Sequence, residues 1–552
     1  MNKMKKLLVL ALAFCMVFSL AACGGDKEEA GDKPINVCFA SEPMTIDPAL
    51  NSSVDGAIMI QHMFEGLYKW KDDGEGNAVL TEGVAEKCDV SKDKTVYTFT
   101  LREDAVWSDG EPVTSEDFVY AWNRLADPAT AADYSYMLDP IKGFDSTKKG
   151  ETHPEVEAPD ARTLVVTLDV PTEYFKEVCA FPALYPVRKD MIDANADKWT
   201  YDPATYIGNG PYKMSEWSHN EHISMVKSDT YYAADEVTTP AINFKLMDDA
   251  NAMLAGFRSG DLDFIQQLPA EEVEGLLADG TAKNQPYLGN YYVVFNNGDE
   301  EINGIANPFL DAKVRKAFNL VIDRTFICDQ VKKDGSTPAG GFVPTGMYDA
   351  EGAGSDFRAV GKDYFDPSED AYKANCEEAR KLLAEAGYPD GKGFPEVDYL
   401  YNTDKGHKAV GEALQHMWQE ELGVSVNLTN QDWNVFLEER KKGNFHIARG
   451  GWIADYNDPM CFLDLFITGS GNNDPQYSNP AFDELIGKAK VTADNGERMK
   501  LMHQAEDIII GEDAILAPIY YYAQVSASKL DGVYYSPLGF YFFSNTTPAE
   551  SK

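Results

Sequence analysis

Two residues near position 450 carry side chains suited to charged partners. Arg449 presents a planar fork of donors that matches a carboxylate. Asp455, six residues on, is a carboxylate that can pair with an ammonium through a charge-assisted hydrogen bond. Residue type alone also allows plainer roles. Asp455 opens Asp-Tyr-Asn-Asp-Pro, a run that favours turns and caps, and Arg449 reads as a surface arginine. Trp433 and Trp452 would each bury a large apolar area wherever they pack. His407 reads as a polar residue entering a helix, and Tyr522 ends the strand-like run Ile519-Tyr520-Tyr521-Tyr522. Catalytic signatures are missing: there is no G-x-S-x-G elbow, H-E-x-x-H, Walker A loop or G-x-G-x-x-G. His219 and His222, and His407 and His416, lack the dense ligand cluster that a metal needs. With 90 Asp and Glu, paired carboxylates occur by chance and argue for nothing.

The elements that must position these residues alternate along the chain. Thr95–Arg102 and Thr163–Leu168 are β-branched, alternating strands. Thr114 and Asp117 form a capping box ahead of Phe118, Ala121, Trp122 and Leu125 at helical spacing. Asp311 precedes a stripe of Val314, Ala317, Phe318 and Val321. Asn375 with Glu378 is expected to open a helix that Gly387 closes, and 400–422 reads as a strand end, a turn and a helix stopped by Gly423. This α/β texture runs on without a central linker, as in lobes that the chain crosses more than once.

At 552 residues the chain is long enough for about three to four domains. A net charge of −41 excludes sequence-independent nucleic-acid binding, because a polyanion would be repelled. Residues 1–22 read as a signal peptide: Lys3, Lys5 and Lys6, then an apolar run from Leu7 to Leu20 too short for a comfortable span. Leu20-Ala21-Ala22-Cys23 resembles a bacterial lipobox, which implies a lipid on Cys23, and 23–34 reads as a flexible tether. Six further cysteines, Cys38, Cys88, Cys179, Cys328, Cys376 and Cys461, are scattered without a C-x-x-C pair. Export permits disulfides among them, and buried free thiols are the alternative.

The run Tyr97–Arg102, then Trp107-Ser-Asp-Gly-Glu-Pro-Val-Thr-Ser-Glu-Asp-Phe-Val-Tyr-Ala-Trp122, resembles the oligopeptide-binding proteins of ABC importers. The likeness continues through Asp127–Ala131, Asn209–Tyr212, Ser259–Asp263, Val314–Ala317 with Ile322–Arg324, Tyr401–Thr403 and Gly451–Pro459, over about residues 35 to 546. It implies an α/β, two-lobed periplasmic-binding-protein-like fold of type II with an extra domain and discontinuous domains. Lobe I would comprise 35–65, 189–288 and 523–546, the extra domain 66–188, and lobe II 289–522. It also implies a receptor, not an enzyme, that encloses an oligopeptide and delivers it to permease and ATPase subunits, held at the membrane by the lipid on Cys23. No cofactor, metal or nucleic acid is implied.

By the same resemblance Asp455 takes the peptide α-ammonium, while Arg449 and His407 take the α-carboxylate of peptides of suitable length. Tyr134, Asn402, Trp433, Trp452 and Tyr522 match pocket positions, and Lys332 is a further candidate carboxylate partner. Some relatives pair cysteines at the positions of Gly289 and Ile453; here both are absent. Three other readings are a dedicated receptor for a signalling or cell-wall peptide, an exported peptide hydrolase and a surface adhesion or chaperone-like protein that has lost transport.

Overall fold

Alternating apolar residues in Val96–Leu101 turn Tyr97, Phe99 and Leu101 into a core, and the capping box at Thr114 and Asp117 starts the helix Ser115–Ala126 that packs nearby. These elements belong to a computed structural model that describes residues 33–549 except 41, 147, 149, 173 and 367. The signal segment and Cys23 lie outside the described residues. The strand is part of a four-stranded antiparallel sheet ordered Ala85–Val90, Val96–Leu101, Thr163–Thr167, Val156–Asp160.

Two larger sheets form the lobes. The seven-stranded sheet runs Ala282–Gln285, Gln524–Ser528, Phe264–Ile265, Ile35–Cys38, Ala241–Lys245, His222–Lys227, Tyr212–Ser218. Its central strand Ile35–Cys38 pairs in parallel on both sides, so neighbours in the sheet are distant in sequence. The six-stranded sheet runs Thr337–Pro338, Leu516–Tyr521, Gly289–Phe295, Ile447–Ile453, Val397–Asn402, Val426–Gln431. The chain passes from the first sheet to the second between Gln285 and Gly289, and returns between Tyr521 and Gln524. Two strand-to-strand passages of this kind, without a helix between, make a short hinge-like connection.

Helix ends follow the sequence closely. Asp311 caps Ala312–Leu320 by accepting from the Lys313 N–H at 2.8 Å. Asp404 caps Lys405–Leu422, and Gly423 ends it at φ 69°, a left-handed geometry that suits glycine. One expectation is corrected. The helix expected to open at Asn375 begins six residues earlier, at Glu369, where the Ser368 hydroxyl accepts from the Ala371 N–H at 3.3 Å. Asn375 is therefore an interior residue, and Cys376, Ala379 and Leu383 are the stripe that the longer helix buries.

All six described cysteines are free thiols; five are buried and Cys88 is half-buried. Burial pushes the thiols of Cys38 and Cys328 up to about 12. In the form beginning after Cys23, a thiolate-directed reagent at pH 8 is therefore expected to modify at most one thiol, Cys88, in the folded protein and all six after denaturation. Rapid reaction of two or more native thiols would contradict this burial.

Candidate functional site

The strand Ile447–Ile453 sits inside the six-stranded sheet, antiparallel to Gly289–Phe295 over seven register pairs and parallel to Val397–Asn402. Flanked on both sides, it is a rigid platform. Alternation along it sends Arg449 and Gly451 to one face and Ala448, Gly450 and Trp452 to the other. The Ala454 N–H donates to the Leu288 carbonyl at 2.7 Å, which fixes the chain just before Asp455.

Asp455 is 6% exposed. Its carboxylate accepts from the Tyr136 hydroxyl at 3.1 Å and the Tyr134 hydroxyl at 3.4 Å. Both tyrosines come from the short helix Asp133–Leu138, on the four-stranded-sheet side of the seam. Tyr134 also stacks on Trp452, with centroids 6.1 Å apart and planes 21° apart. Among the described residues no lysine, arginine or histidine forms an ion pair with Asp455. Burial, with a contribution from neighbouring Asp464, pushes this carboxyl well above the usual carboxylate range, although the tyrosine hydroxyls pull the other way. A buried carboxylate without a cation is costly, and its geometry suits a cationic guest.

Arg449 occupies the complementary situation. Its guanidinium carbon lies 5.5 Å from the Tyr291 ring centroid, 5.8 Å from Trp433 and 5.9 Å from Phe436, and its buried Nε has no hydrogen-bond partner. The His407 ring lies 5.6 Å from Tyr291. Burial first, and then the charges of Arg449 and Lys332, hold His407 well below its ordinary value, so it is neutral at pH 7. Tyr522 completes this group, 6.4 Å from Tyr291 and 5.6 Å from Tyr287. Trp433 opens the helix Trp433–Lys441 and stacks on Phe436. Lys332, the further candidate, already pairs with Asp334 at 3.1 Å.

The expected residues thus form two groups along one strand. Asp455, Trp452 and Tyr134 meet at its end; Arg449, His407 and Tyr522 meet around Tyr291, and Trp433 packs on Arg449. Six residues of extended chain separate the two charges by about 20 Å at most between α-carbons. Asn402 belongs to neither group. It ends the strand Val397–Asn402, opposite Gln431, and each of these residues keeps a buried amide oxygen without a partner. Such acceptors are costly unless something donates to them.

Three contributors were not singled out from sequence: Tyr136, Tyr291 and Gln431. The Tyr134-Ser-Tyr136 spacing was a usable signal for the first, since it puts two hydroxyls on one short segment. Gly451 matters for space: a methyl group there would fall on the Tyr522 hydroxyl. Gly451→Val is therefore expected to lower thermal stability by about 1–3 kcal/mol, the usual cost of overpacking, measurable by denaturant titration. An unchanged midpoint would mean that Tyr522 yields freely. Gly289 and Ile453 are direct register partners across the antiparallel pair.

No group of three or more His, Cys, Asp or Glu side chains that could hold a metal occurs among the described residues. The comparisons agree with one another. The family model for bacterial extracellular solute-binding proteins, family 5 Middle, matches residues 79–474. The chain is 35% identical to the dipeptide-binding protein DppE of Bacillus subtilis, over 98% of each chain. It is similar to the Listeria monocytogenes OppA structure bound to peptide, with a TM-score of 0.85 at 28% identity, covering 94% of this chain and 100% of that one. Against the Escherichia coli murein tripeptide binding protein MppA the TM-score is 0.82 at 30% identity, covering 94% and 99%. Against the unliganded open form of MppA it falls to 0.59 at 30% identity, covering 93% and 98%. The lobes described here therefore stand nearer the first arrangement than the open one.

Proposed function

The chain belongs to the bacterial extracellular solute-binding proteins of family 5, and from that premise we propose that it captures oligopeptides between two closing lobes and delivers them to an ABC transporter permease. The family consists of solute-binding proteins rather than enzymes. The observation that carries the ligand class is Asp455: a buried carboxylate, cradled by two hydroxyls from across the seam, with no cation of its own. Every unblocked peptide brings an α-ammonium, whatever its side chains, so one such site serves many sequences. Arg449, among aromatic rings and without a carboxylate partner among the described residues, supports the same reading for the other terminus. An extended peptide between them exposes N–H and C=O groups that Asn402 and Gln431 can answer, and Trp433, Trp452, Tyr134 and Tyr522 offer broad apolar walls.

The domain division follows the same reading: 35–65, 189–288 and 523–546 for lobe I, 66–188 for the extra domain, 289–522 for lobe II. Its support is that the strands of each large sheet fall within one of these sets. Export suits an extracytoplasmic family. A lipid on Cys23 would keep the receptor beside its permease, and ATP hydrolysis would belong to partner subunits. Because a ligand shifts the equilibrium between open and closed lobes only by its differential affinity, enclosure is what the transporter reads.

The test is to purify the soluble form beginning after Cys23, denature it and identify the released ligand by mass spectrometry. Mixed peptides of a few residues are the expected result. A single peptide species would favour a dedicated receptor for a signalling or cell-wall peptide. No released peptide, with calorimetry silent against peptide libraries, would overturn the proposal. Cleavage products abolished by one point substitution would instead favour the hydrolase.

A further inference from the structure

One short segment of the extra domain makes an unusual share of the polar contacts across the seam. Within residues 133–139, Tyr134 and Tyr136 donate to Asp455, Asp133 pairs with Lys441 at 2.6 Å, and Asp139 pairs with Lys490. Both lysines come from the six-stranded-sheet lobe, and the two ion pairs flank the Asp455 site. Their carboxylates are shielded, with the side chains of Asp133 and Asp139 13% and 8% exposed, while Lys490 is 21% and Lys441 41% exposed. By contrast Lys405–Asp249, which also joins the two lobes, has side chains 70% and 44% exposed and contributes little.

The partners are arranged so that separation leaves few orphans. Lys490 also lies 3.7 Å from Asp464 of its own lobe, and Asp139 accepts from the Ser146 backbone and hydroxyl within its own domain. For Asp139–Lys490, losing the contact across the seam therefore does not strand a buried charge, which is the usual penalty for breaking such a pair. A contact that is favourable when made and tolerable when broken suits a moving interface.

We propose that Asp133–Lys441 and Asp139–Lys490 form an electrostatic latch that holds the extra domain against the second lobe independently of the peptide's sequence. It makes no contact that depends on ligand side chains, so it lengthens the residence of every enclosed ligand by the same factor. The kinetic arm of this proposal rests on the peptide-receptor reading; the shape arm does not.

The experiment compares wild type with K441M/K490M, each freed of ligand by unfolding and refolding. Small-angle scattering at 50 and 500 mM NaCl should show the wild type expanding with salt and the variant already expanded at both. Stopped-flow dissociation from a panel of peptides of differing sequence should be faster in the variant by one common factor, roughly three- to thirty-fold for two partly buried pairs. The swapped variant D133K/K441D should return dissociation to within about twofold of wild type. If the double variant does not fold, K441M alone tests the same claim at about half the logarithmic effect. Identical scattering and unchanged dissociation rates overturn the latch, as does a rate change that differs from peptide to peptide or a swap no better than K441M. Should no peptide bind at all, the peptide reading fails while the scattering comparison still decides the latch.

Discussion

Asp455→Asn is expected to weaken capture of a peptide with a free amino terminus by roughly 30- to 5,000-fold, the range for breaking one partner of a buried, hydrogen-bonded charge pair. Asparagine preserves volume, so the loss is not one of packing. Much of it arises because the ammonium would enter a buried site and find no anion there. The control is the same peptide with its amino group acetylated. Wild type should discriminate strongly against the acetylated form, and the variant should bind both forms alike. Calorimetry or fluorescence titration of the two peptides against the two proteins gives a double-mutant cycle. If wild type binds acetylated and free peptides equally, Asp455 does not hold the amino terminus.

The same site makes binding depend on pH. Burial holds the Asp455 carboxyl well above the usual carboxylate range in the peptide-free protein. A group whose folded value is raised contributes stability that is full below its unfolded value and is lost as pH rises through the folded one. Ionised Asp455 is therefore a burden on the empty protein, and an arriving ammonium relieves it. Binding should release a proton, and affinity for free-amino peptides should rise with pH from the ordinary carboxylate range up to that raised value. Calorimetry in buffers of different ionisation enthalpy measures the proton release directly, and Asp455→Asn should abolish it. Asp464, pushed up to about 7 by burial, lies close enough to contribute. Asp464→Asn is expected to shift the profile without removing the preference for a free amino group.

Much of the framework was legible because local and distant preferences agree. The capping box at Thr114 and Asp117, the Asp311 cap and the Gly423 stop all stand where the residues put them. The helix over 369–385 begins earlier than expected because the Ser368 hydroxyl caps it, ahead of Asn375. The site was less legible. Asp455 by residue type is a turn aspartate; the resemblance singles it out in sequence, and its burial against two hydroxyls distinguishes it in the structure. Tyr291 could not be ranked, because it lies in the continuously buried strand Gly289–Phe295, where no periodicity marks one residue from another. Gln431 gains meaning only from its register opposite Asn402, which parallel pairing sets and sequence separation hides. The lysines that meet Asp133 and Asp139 are 308 and 351 residues away, in a chain with enough charges to pair them in many ways.

Arg449→Met separates function from stability, since the two should move in opposite directions. The guanidinium is held among Tyr291, Trp433 and Phe436 with its Nε unpartnered, and methionine can fill most of that space. Replacing a buried charge that lacks an ion-pair partner by an apolar side chain is often neutral or stabilising, so the peptide-free variant should melt at or above the wild-type temperature. Peptide binding should nevertheless weaken by roughly 10- to 150-fold, the worth of a hydrogen bond to a charged group. The loss should fall on those lengths whose carboxylate reaches Arg449, because the amino terminus is fixed at Asp455 and each added residue moves the other end by about 3.4 Å. His407 does not stand in for the lost charge at neutral pH, since burial, the largest cause of its lowered value, and Lys332 both persist in the variant. Comparing each peptide with its C-terminal amide isolates the effect: wild type should prefer the free acid at the affected lengths, and Arg449→Met should not. A uniform loss at every length, for acid and amide alike, would make Arg449 a packing residue of the aromatic cage and leave the carboxylate to another partner.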